Sequence, residues 1–392
     1  MTRSWFRNGI QKMAFGTAVA LALTFGLVLG CTADPEGTSG AQGPGGAVKQ
    51  GPGGVVEFPK YLMDVLASEV VGKIKGQPDL AIKYLLFSTA LGNLDFSKAG
   101  KTNVHLLDNP KNFELSKSSH PGYFDNKFEN KSVTVHDAKK VRYDYGVSGA
   151  TWVDFSAIRL GGGPFHDGFL QEETMVMEMP ELANVVAKGG NFTRADGCDV
   201  QAKKDGPLQC NPTPLFIGPV HRTMEIHPDL AGTWTTLPPE KLFSYITPLG
   251  GKNLELNTLS MAVAELPKID DPVAALKVQA GLDTVSDLFN TFVAAFTVAK
   301  ANGVGTVSTG GIGTGAFHNS TKVVYVLQKL AAMQVGINLY YYGLHQADAP
   351  KFPKSEQELW DPIVNDIVVE YGKGPATVKH LLEIASDKLK KP

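Results

Sequence analysis

Two adjacent carboxylates stand next to a glycine turn in this chain of 392 residues. Glu172 and Glu173 follow the consecutive glycines Gly161, Gly162 and Gly163 after a short interval. Such glycines let the backbone approach a ligand closely, and a helix start offers N–H groups without partners, so this corner suits an anion. Two acids would repel an anion unless one is protonated or takes part in chemistry. The pattern therefore indicates a reactive site.

The spacing of apolar residues predicts the elements around this corner. Residues 152–155 favour a strand, and an apolar run at helical spacing begins at Gln171. A second unit lies downstream, where a short strand at 304–307 leads into a glycine loop at 310–317 and then a helix at 323–333. The order strand, glycine loop, helix and strand predicts a βαβ unit.

Both glycine loops are predicted to line one phosphate site. In an open α/β sheet, ligands bind where loops leave the carboxyl ends of neighbouring strands. Backbone N–H groups of Gly313, Thr314, Gly315 and Ala316 would face the phosphates. The alternative is that the glycines only permit tight turns and close packing of helix on sheet. Neither loop is followed by the lysine of a P-loop or by a ribose-binding acid, so nucleotide hydrolysis and hydride transfer are not supported.

Two motifs in this chain resemble those of the poly(ADP-ribose) glycohydrolase family. The first is Gly-Gly-Gly, seven residues, then Gln-Glu-Glu, with Val-Asp-Phe at 153–155 before it and Met-Pro-Glu-Leu at 179–182 after it. The second is the loop at 309–317, which ends in Gly-Ala-Phe. The resemblance implies an α/β fold: a macrodomain-like three-layer sandwich with a mixed central sheet flanked by helices. We expect an N-terminal helical accessory region in addition.

The resemblance also implies an activity. Members of the family cut the ribose–ribose O-glycosidic bond of poly(ADP-ribose) and release ADP-ribose. Glu173 would be the catalytic acid and base, and Glu172 would hold the substrate ribose. Because adjacent helical residues diverge by about 100°, the two are not expected to face each other, and one general acid that later activates water fits better. Without the glycines, the pair would be interpreted as a solvated first helical turn.

Further positions take their roles from the same resemblance. Asp154 would contact the ligand near the adenine, and Gln171 would belong to the substrate site together with both sets of glycines. Phe317 would pack on the adenine-proximal ribose, although a core aromatic residue is an alternative interpretation.

The sequence departs from the family pattern at several positions. Ala157 stands where the family usually has asparagine, and Ile312 replaces an aromatic residue. His318 and Asn319 replace two glycines. The adenine-stacking segment of the family has no clear counterpart, and its candidates here are Phe216, Trp234 and Tyr245. These changes favour a divergent enzyme whose substrate is poly(ADP-ribose) or another ADP-ribosyl conjugate.

The N-terminus is predicted to be a lipoprotein signal. Arg3, Arg7 and Lys12 precede an apolar run at 13–30 that ends at Cys31. This arrangement resembles a bacterial lipobox, in which the cysteine is lipidated after cleavage. An uncleaved transmembrane anchor is the alternative.

The predicted domains are a signal peptide at 1–30, a Gly/Pro tether at 31–54, a helical accessory region at 55–131 and a macrodomain-like glycohydrolase domain at 132–392. Apolar residues also recur at helical spacing over 254–264 and 273–300, which predicts helices there. We expect a monomer in the bacterial cell envelope, lipid-anchored at the outer membrane or cell surface and extracytoplasmic.

Composition and cysteine spacing restrict the kinds of partner and metal site that the sequence predicts. The formal charge of −2 gives no case for nucleic acid. Cys198 and Cys210 are predicted to form a disulfide, and a metal site is disfavoured because His221 and His227 flank apolar residues. No cofactor is expected. The alternative functions are an ADP-ribose-binding or nucleotide-binding surface lipoprotein without turnover, and an adhesive surface protein.

Overall fold

The computed structural model describes residues 54–66, 79–107, 126–138, 140, 142–156, 159–166, 168–189, 213–249, 254–315, 317–343 and 354–391. Cys31, Cys198, Cys210 and the signal peptide at 1–30 lie outside these residues. Lipidation and the disulfide therefore stay predictions. None of the helices in the described ranges is long and apolar enough to cross a membrane.

The described part of the chain is built from both strands and helices. Their bounds are β1 Gly54–Glu57, α1 Lys60–Val65, α2 Asp79–Gly92, β2 Lys101–His105, β3 Val135–Asp137, β4 Ala150–Phe155, α3 Gln171–Glu178, α4 Pro180–Lys188, β5 Leu215–Arg222, β6 Met224–Ile226, β7 Ile246–Pro248, β8 Leu254–Met261, α5 Pro272–Gln279, α6 Leu282–Ala301, β9 Thr306–Gly310, α7 Thr321–Val335, β10 Asn338–Tyr342, α8 Glu356–Tyr371 and α9 Val378–Leu389. Two 3-10 helices, Pro228–Gly232 and Pro239–Tyr245, lie between β6 and β7.

Eight of these strands form one mixed sheet. Their order is β1-β2-β5-β8-β4-β9-β10-β3, while β6 and β7 pair separately. The strands from β8 to β3 in this order run parallel to one another. Strand β5 is antiparallel to both β8 and β2, and β2 is antiparallel to β1. The sheet thus has a parallel half, where βα loops leave one edge, and an antiparallel half.

Helices cover both faces of the sheet. Successive residues of a strand point to opposite faces, and Val153 and Trp152 of β4 do so here. Val153 lies in a core formed with α6, α7, α8 and α9. Trp152 lies in a second core formed with α1, α2, α3 and α4. The three-layer α/β sandwich with a mixed central sheet is therefore confirmed.

The N-terminal segment is built into this sandwich. Besides α1 and α2 it supplies β1 and β2, which extend the sheet through the pairing of β2 with β5. The side chain of Asn184 in α4 accepts a hydrogen bond from Leu62 N (2.9 Å) and donates one to Glu57 O (2.8 Å). The predicted accessory region thus forms part of one helical layer and one end of the sheet. A domain boundary near residue 132 stays a prediction.

The structure corrects one predicted helix. Residues 254–261 form strand β8, which pairs with β4 on one side and β5 on the other. Leu259, Ser260 and Met261 are all buried, because a central strand with helices on both faces buries consecutive residues. Such a strand lacks the alternation that reveals a half-buried strand, so a short apolar run is ambiguous between strand and helix. The predicted helix at 273–300 is found, divided into α5 and α6 at Gly281.

A buried ion pair fixes the far end of α3. Arg222 donates from Nε to Glu178 Oε2 (2.7 Å) and from Nη2 to Glu178 Oε1 (3.1 Å). Glu178 Oε1 also accepts the N–H of Ile226 (2.7 Å). Burial raises the pKa of Glu178, and the charge of Arg222 opposes that rise. The pair ties α3 to β5 and β6 and limits how this helix can shift.

Candidate active site

The two glycine loops lie side by side. They follow β4 and β9, which are adjacent parallel strands, so both leave the same edge of the sheet. A methyl group added at Gly310, the last residue of β9, would lie 3.4 Å from the ring of Phe155, the last residue of β4. The structure thus brings together the two predicted motifs, which are far apart in sequence.

The carboxyl group of Glu173 spans the first glycine loop and the start of α3. Its Oε2 accepts the N–H of Leu170 (2.7 Å), and its Oε1 accepts the N–H of Gly163 (3.1 Å). The side chain is only 4% exposed. A buried carboxyl group with a donor on each oxygen has a fixed orientation. Glu173 is therefore held in place before any substrate arrives.

The glycines make room for the two carboxylates. Gly162 has φ +58°, and a Cβ atom there would clash with carboxylate oxygens of both Glu172 and Glu173. A Cβ atom at Gly168 would clash with Glu173 as well. Gly161, at φ +79°, is packed against Val186 in the same way. The glycines therefore let the backbone approach the chain's own acids closely. The predicted close approach to a ligand stays a prediction.

Glu172 and Glu173 converge more than the helical geometry suggests. Their Cα positions are adjacent on α3, yet both carboxylates reach the same glycine, Gly162. Long side chains can fold back toward the helix N-terminus, which offsets the divergence of the backbone. Glu172 is 6% exposed. The two carboxyl groups therefore lie close together, although the sequence predicted that the two acids point apart.

Asp154 forms part of the floor of the site. It is completely buried, and its Oδ2 accepts a hydrogen bond from Ser260 Oγ (2.9 Å). Burial raises the pKa of Asp154 to about 7; the hydroxyl of Ser260 opposes this rise, and the nearby charge of Glu173 adds to it. Asp154, predicted to contact the ligand, therefore lies beneath the surface. A proton bound to Asp154 reduces the repulsion among the acids.

Gln171 docks α3 onto the end of β4. Its Oε1 accepts the N–H of Phe155 (3.0 Å), and its Nε2 donates to Val153 O (3.2 Å). Both ends of the amide are thereby used by backbone groups. In this structure Gln171, predicted to bind substrate, positions the two glutamates that follow it.

The side chain of Asn319, which stands where the family pattern has a glycine, closes the second loop. The amide nitrogen of Asn319 donates to Ala264 O (2.9 Å), Phe317 O (3.2 Å) and Gly313 O (3.3 Å). Gly313 has φ +69°, and His318 has φ +55°. Asn319 therefore holds together the turn in which two glycines were expected.

The second loop retains backbone donors for an anion. Thr314 uses its N–H and its hydroxyl group on Gly311 O. Within the described ranges, the N–H groups of Gly313 and Gly315 donate to no protein acceptor. Phe317 is half-buried and packs against the core; its predicted contact with a ribose stays a prediction. Ala316 of this loop and Ala157 of the first lie outside the described residues.

The adenine-stacking candidates have other partners. Trp234 is 6% exposed and stacks on Phe169 with ring centroids 5.5 Å apart. Phe216 is equally buried, and its ring lies 5.9 Å from that of His105. The ring of Tyr245 lies 6.3 Å from that of His227. Only Trp234 is adjacent to the first glycine loop, through its contact with Phe169.

Three solved structures similar to this chain are poly(ADP-ribose) glycohydrolases of bacteria. One from Thermomonospora curvata has 14% identity and a TM-score of 0.38, covering 64% of this chain and 85% of that one. The same enzyme bound to the inhibitor ADP-HPD has 13% identity, a TM-score of 0.38 and the same coverage. One from Deinococcus radiodurans in complex with ADP-ribose has 12% identity and a TM-score of 0.37, covering 66% and 90%.

No family model and no curated protein matches the chain. At the identities and TM-scores of the solved structures, the similarity establishes neither family membership nor an activity.

The raised pKa of Asp154 makes stability depend on pH. Between about pH 4, where the free side chain titrates, and about pH 7, the folded protein holds a proton that the unfolded chain releases. This stabilisation is present below about pH 4 and is lost as the pH rises through about 7. We expect wild type to lose about 3 kcal/mol more unfolding free energy between pH 5 and pH 8 than Asp154→Asn, measured by urea denaturation.

Asp144→Asn is the control for Asp154→Asn. Burial raises the pKa of Asp144, but hydrogen bonds from Lys140 and Tyr342 outweigh it, and the pKa falls to about 2. Asp144 therefore does not titrate between pH 5 and pH 8, and its variant should keep the wild-type slope. Equal slopes for wild type and Asp154→Asn would contradict the prediction.

Gly162→Ala should displace the carboxylates, with Gly149→Ala as its matched control. Both glycines have positive φ, at +58° and +72°, so both variants carry backbone strain of about 1 kcal/mol. Only Gly162 faces Glu172 and Glu173, whereas nothing lies within 4 Å of a Cβ atom at Gly149. We expect Gly162→Ala to have the lower melting temperature of the two, because its Cβ atom also displaces two buried carboxylates. We also expect it alone to lose about 10²-fold or more of the hydrolysis that the motif resemblance implies. Equal turnover in the two variants would contradict this geometry.

Proposed function

We propose that this chain is a glycohydrolase that cleaves the ribose–ribose O-glycosidic bond of poly(ADP-ribose) or a related ADP-ribosyl conjugate and releases ADP-ribose. The observation that supports it is the convergence of two buried glutamates, Glu172 and Glu173, on a glycine loop next to a second loop with available N–H donors. The motif resemblance names the same pair and the same loops. The substrate class rests on that resemblance.

Cleavage of such a bond needs a proton for the leaving oxygen and stabilisation of an oxocarbenium-like centre. Glu173 supplies the proton in its protonated form and, once ionised, accepts a proton from the attacking water. Its two backbone donors orient the carboxyl group throughout. Glu172, whose carboxylate reaches the same glycine, holds a ribose hydroxyl group and adds negative charge beside the developing cation.

The second loop provides the binding energy for the diphosphate. The N–H groups of Gly313 and Gly315 are suited to phosphate oxygens, and the adjacent Thr314 is held by Gly311. Because the loops leave neighbouring strands, a diphosphate on one places the attached ribose close to the acids on the other. Because binding and chemistry are assigned to different loops, loss of the Glu173 carboxylate should leave the affinity for ADP-ribose nearly unchanged.

Glu173→Gln tests the activity. The amide preserves the shape of the side chain but cannot transfer the proton, so we expect kcat for ADP-ribose release to fall by about 10²- to 10⁴-fold. The dissociation constant for ADP-ribose, measured by calorimetry on residues 54–392, should change by less than about threefold, because the diphosphate loop is untouched. Glu57→Gln, on the exposed edge strand β1, is the control and should match wild type.

Two outcomes would contradict the proposal. Equal turnover by wild type and Glu173→Gln would remove the acid from the mechanism. Tight ADP-ribose binding by wild type with no turnover would favour the alternative, a non-catalytic surface protein that binds ADP-ribose or a nucleotide. That alternative is consistent with the capping role of Glu173, because both of its oxygens already accept backbone N–H groups.

The predicted N-terminal signal supports a place for this activity at the bacterial cell envelope, outside the cytoplasm. We infer lipidation at Cys31, with the tether at 31–54 separating the lipid from the folded body. In a bacterial host, the full chain should label with a radioactive fatty acid and sediment with membranes, whereas Cys31→Ser should not be labelled. Labelling of Cys31→Ser to the wild-type level would exclude this residue as the anchor.

A further inference from the structure

One lysine of the N-terminal segment reaches the loop that carries the glutamates. Lys83, on α2, has no exposed surface. Its Nζ donates a hydrogen bond to the carbonyl oxygen of Gly168. The same Nζ lies 4.8 Å from the ring centroid of Phe169 and 4.8 Å from that of Trp234. The contacts of the Lys83 Nζ thus include one carbonyl oxygen and two aromatic rings that stack on each other.

Burying this ammonium group costs free energy. Lysine is among the residues least often found fully buried, because its charge must leave water. A carbonyl acceptor and two aromatic faces recover part of that cost. A methionine of similar length would pack on the same rings without any desolvated charge. Unlike methionine, lysine can donate a hydrogen bond to the backbone of Gly168.

Gly168 lies at the centre of the loop that orients Glu173. Its N–H donates to Gly163 O (3.2 Å), and its Cα is packed against the carboxylate of Glu173. Gly163 and Leu170, five residues before and two residues after it, supply the two N–H groups that Glu173 accepts. A shift of the Gly168 peptide would therefore change the position of both donors.

We propose that Lys83 is a positioning residue for the acid. It anchors the Gly168 carbonyl so that Gly163 and Leu170 present their N–H groups to Glu173. The inference rests on the proposed glycohydrolase function and adds a contribution from the N-terminal segment to it. Because the diphosphate loop follows β9 and does not involve Gly168, Lys83 affects the chemical step more than substrate binding.

Lys83→Met is the main variant, and Ile82→Ala is its control. Ile82 is buried on the same helix at 1% exposure, so its truncation weakens the packing of α2 without removing the bond to Gly168. For Lys83→Met we expect kcat to fall by about 10- to 100-fold with KM within about twofold of wild type. Ile82→Ala should lower the melting temperature while leaving kcat within about twofold.

Amide hydrogen exchange provides a readout that does not depend on turnover. The N–H groups of Leu170 and Gly163 should exchange about tenfold or more faster in Lys83→Met than in wild type, with α6 and α7 unchanged. Ile82→Ala should not show this selective change. Lys83→Leu, which also removes the bond to Gly168, is the second variant if Lys83→Met does not fold, and it should change kcat and exchange in the same direction.

The outcomes separate this inference from the proposed function. Wild-type kcat and wild-type exchange at Leu170 in a folded Lys83→Met protein would overturn the positioning role. Wild-type protein without turnover, combined with selective exchange in Lys83→Met, would support the anchoring of the loop and refute the glycohydrolase activity. If Ile82→Ala reproduces both effects of Lys83→Met, general loosening of α2 explains them and the proposal is wrong.

Discussion

The hydrogen bonds from Gly163 and Leu170 to the carboxyl group of Glu173 are the interaction on which the rest of the site depends. They join the glycine loop to the first turn of α3 and fix the orientation of the acid. The loop accommodates them because Gly162 and Gly168 leave the space that the carboxylates occupy. Gln171 then holds the helix against β4 through two backbone hydrogen bonds.

The site gathers several acids, and the protein limits their repulsion in different ways. Asp154 has a pKa near 7 because it is buried, so it carries a proton over part of the physiological range. Two backbone N–H groups donate hydrogen bonds to the carboxylate of Glu173. Lys83 places a buried cation at Gly168, in the same loop. Together these contacts hold the carboxylate of Glu173 in a defined place.

The antiparallel half of the sheet and the N-terminal helices support this corner from one side. Asn184 ties α1 and β1 to α4, and Arg222 ties β5 to the last residue of α3. The other face is covered by α6 to α9. The parallel strands between these layers bring loops from distant parts of the chain to one edge. The N-terminal segment is therefore a structural part of the site, through α2 and its lysine.

The sequence by itself determined the local units. Glycine runs, apolar spacing and acidic residues at a helix start predicted the strand, loop and helix around Glu173 and the βαβ unit after residue 304, because these signals act within a few residues. It misassigned β8, since burial on both faces removes the alternation of a strand.

Only the tertiary structure decided which groups meet. Lys83 and Ser260 reach the site from elements whose placement depends on packing over long sequence separations, and no local pattern marks them. The same holds for the buried position of Asp154, whose raised pKa follows from the layers that cover it.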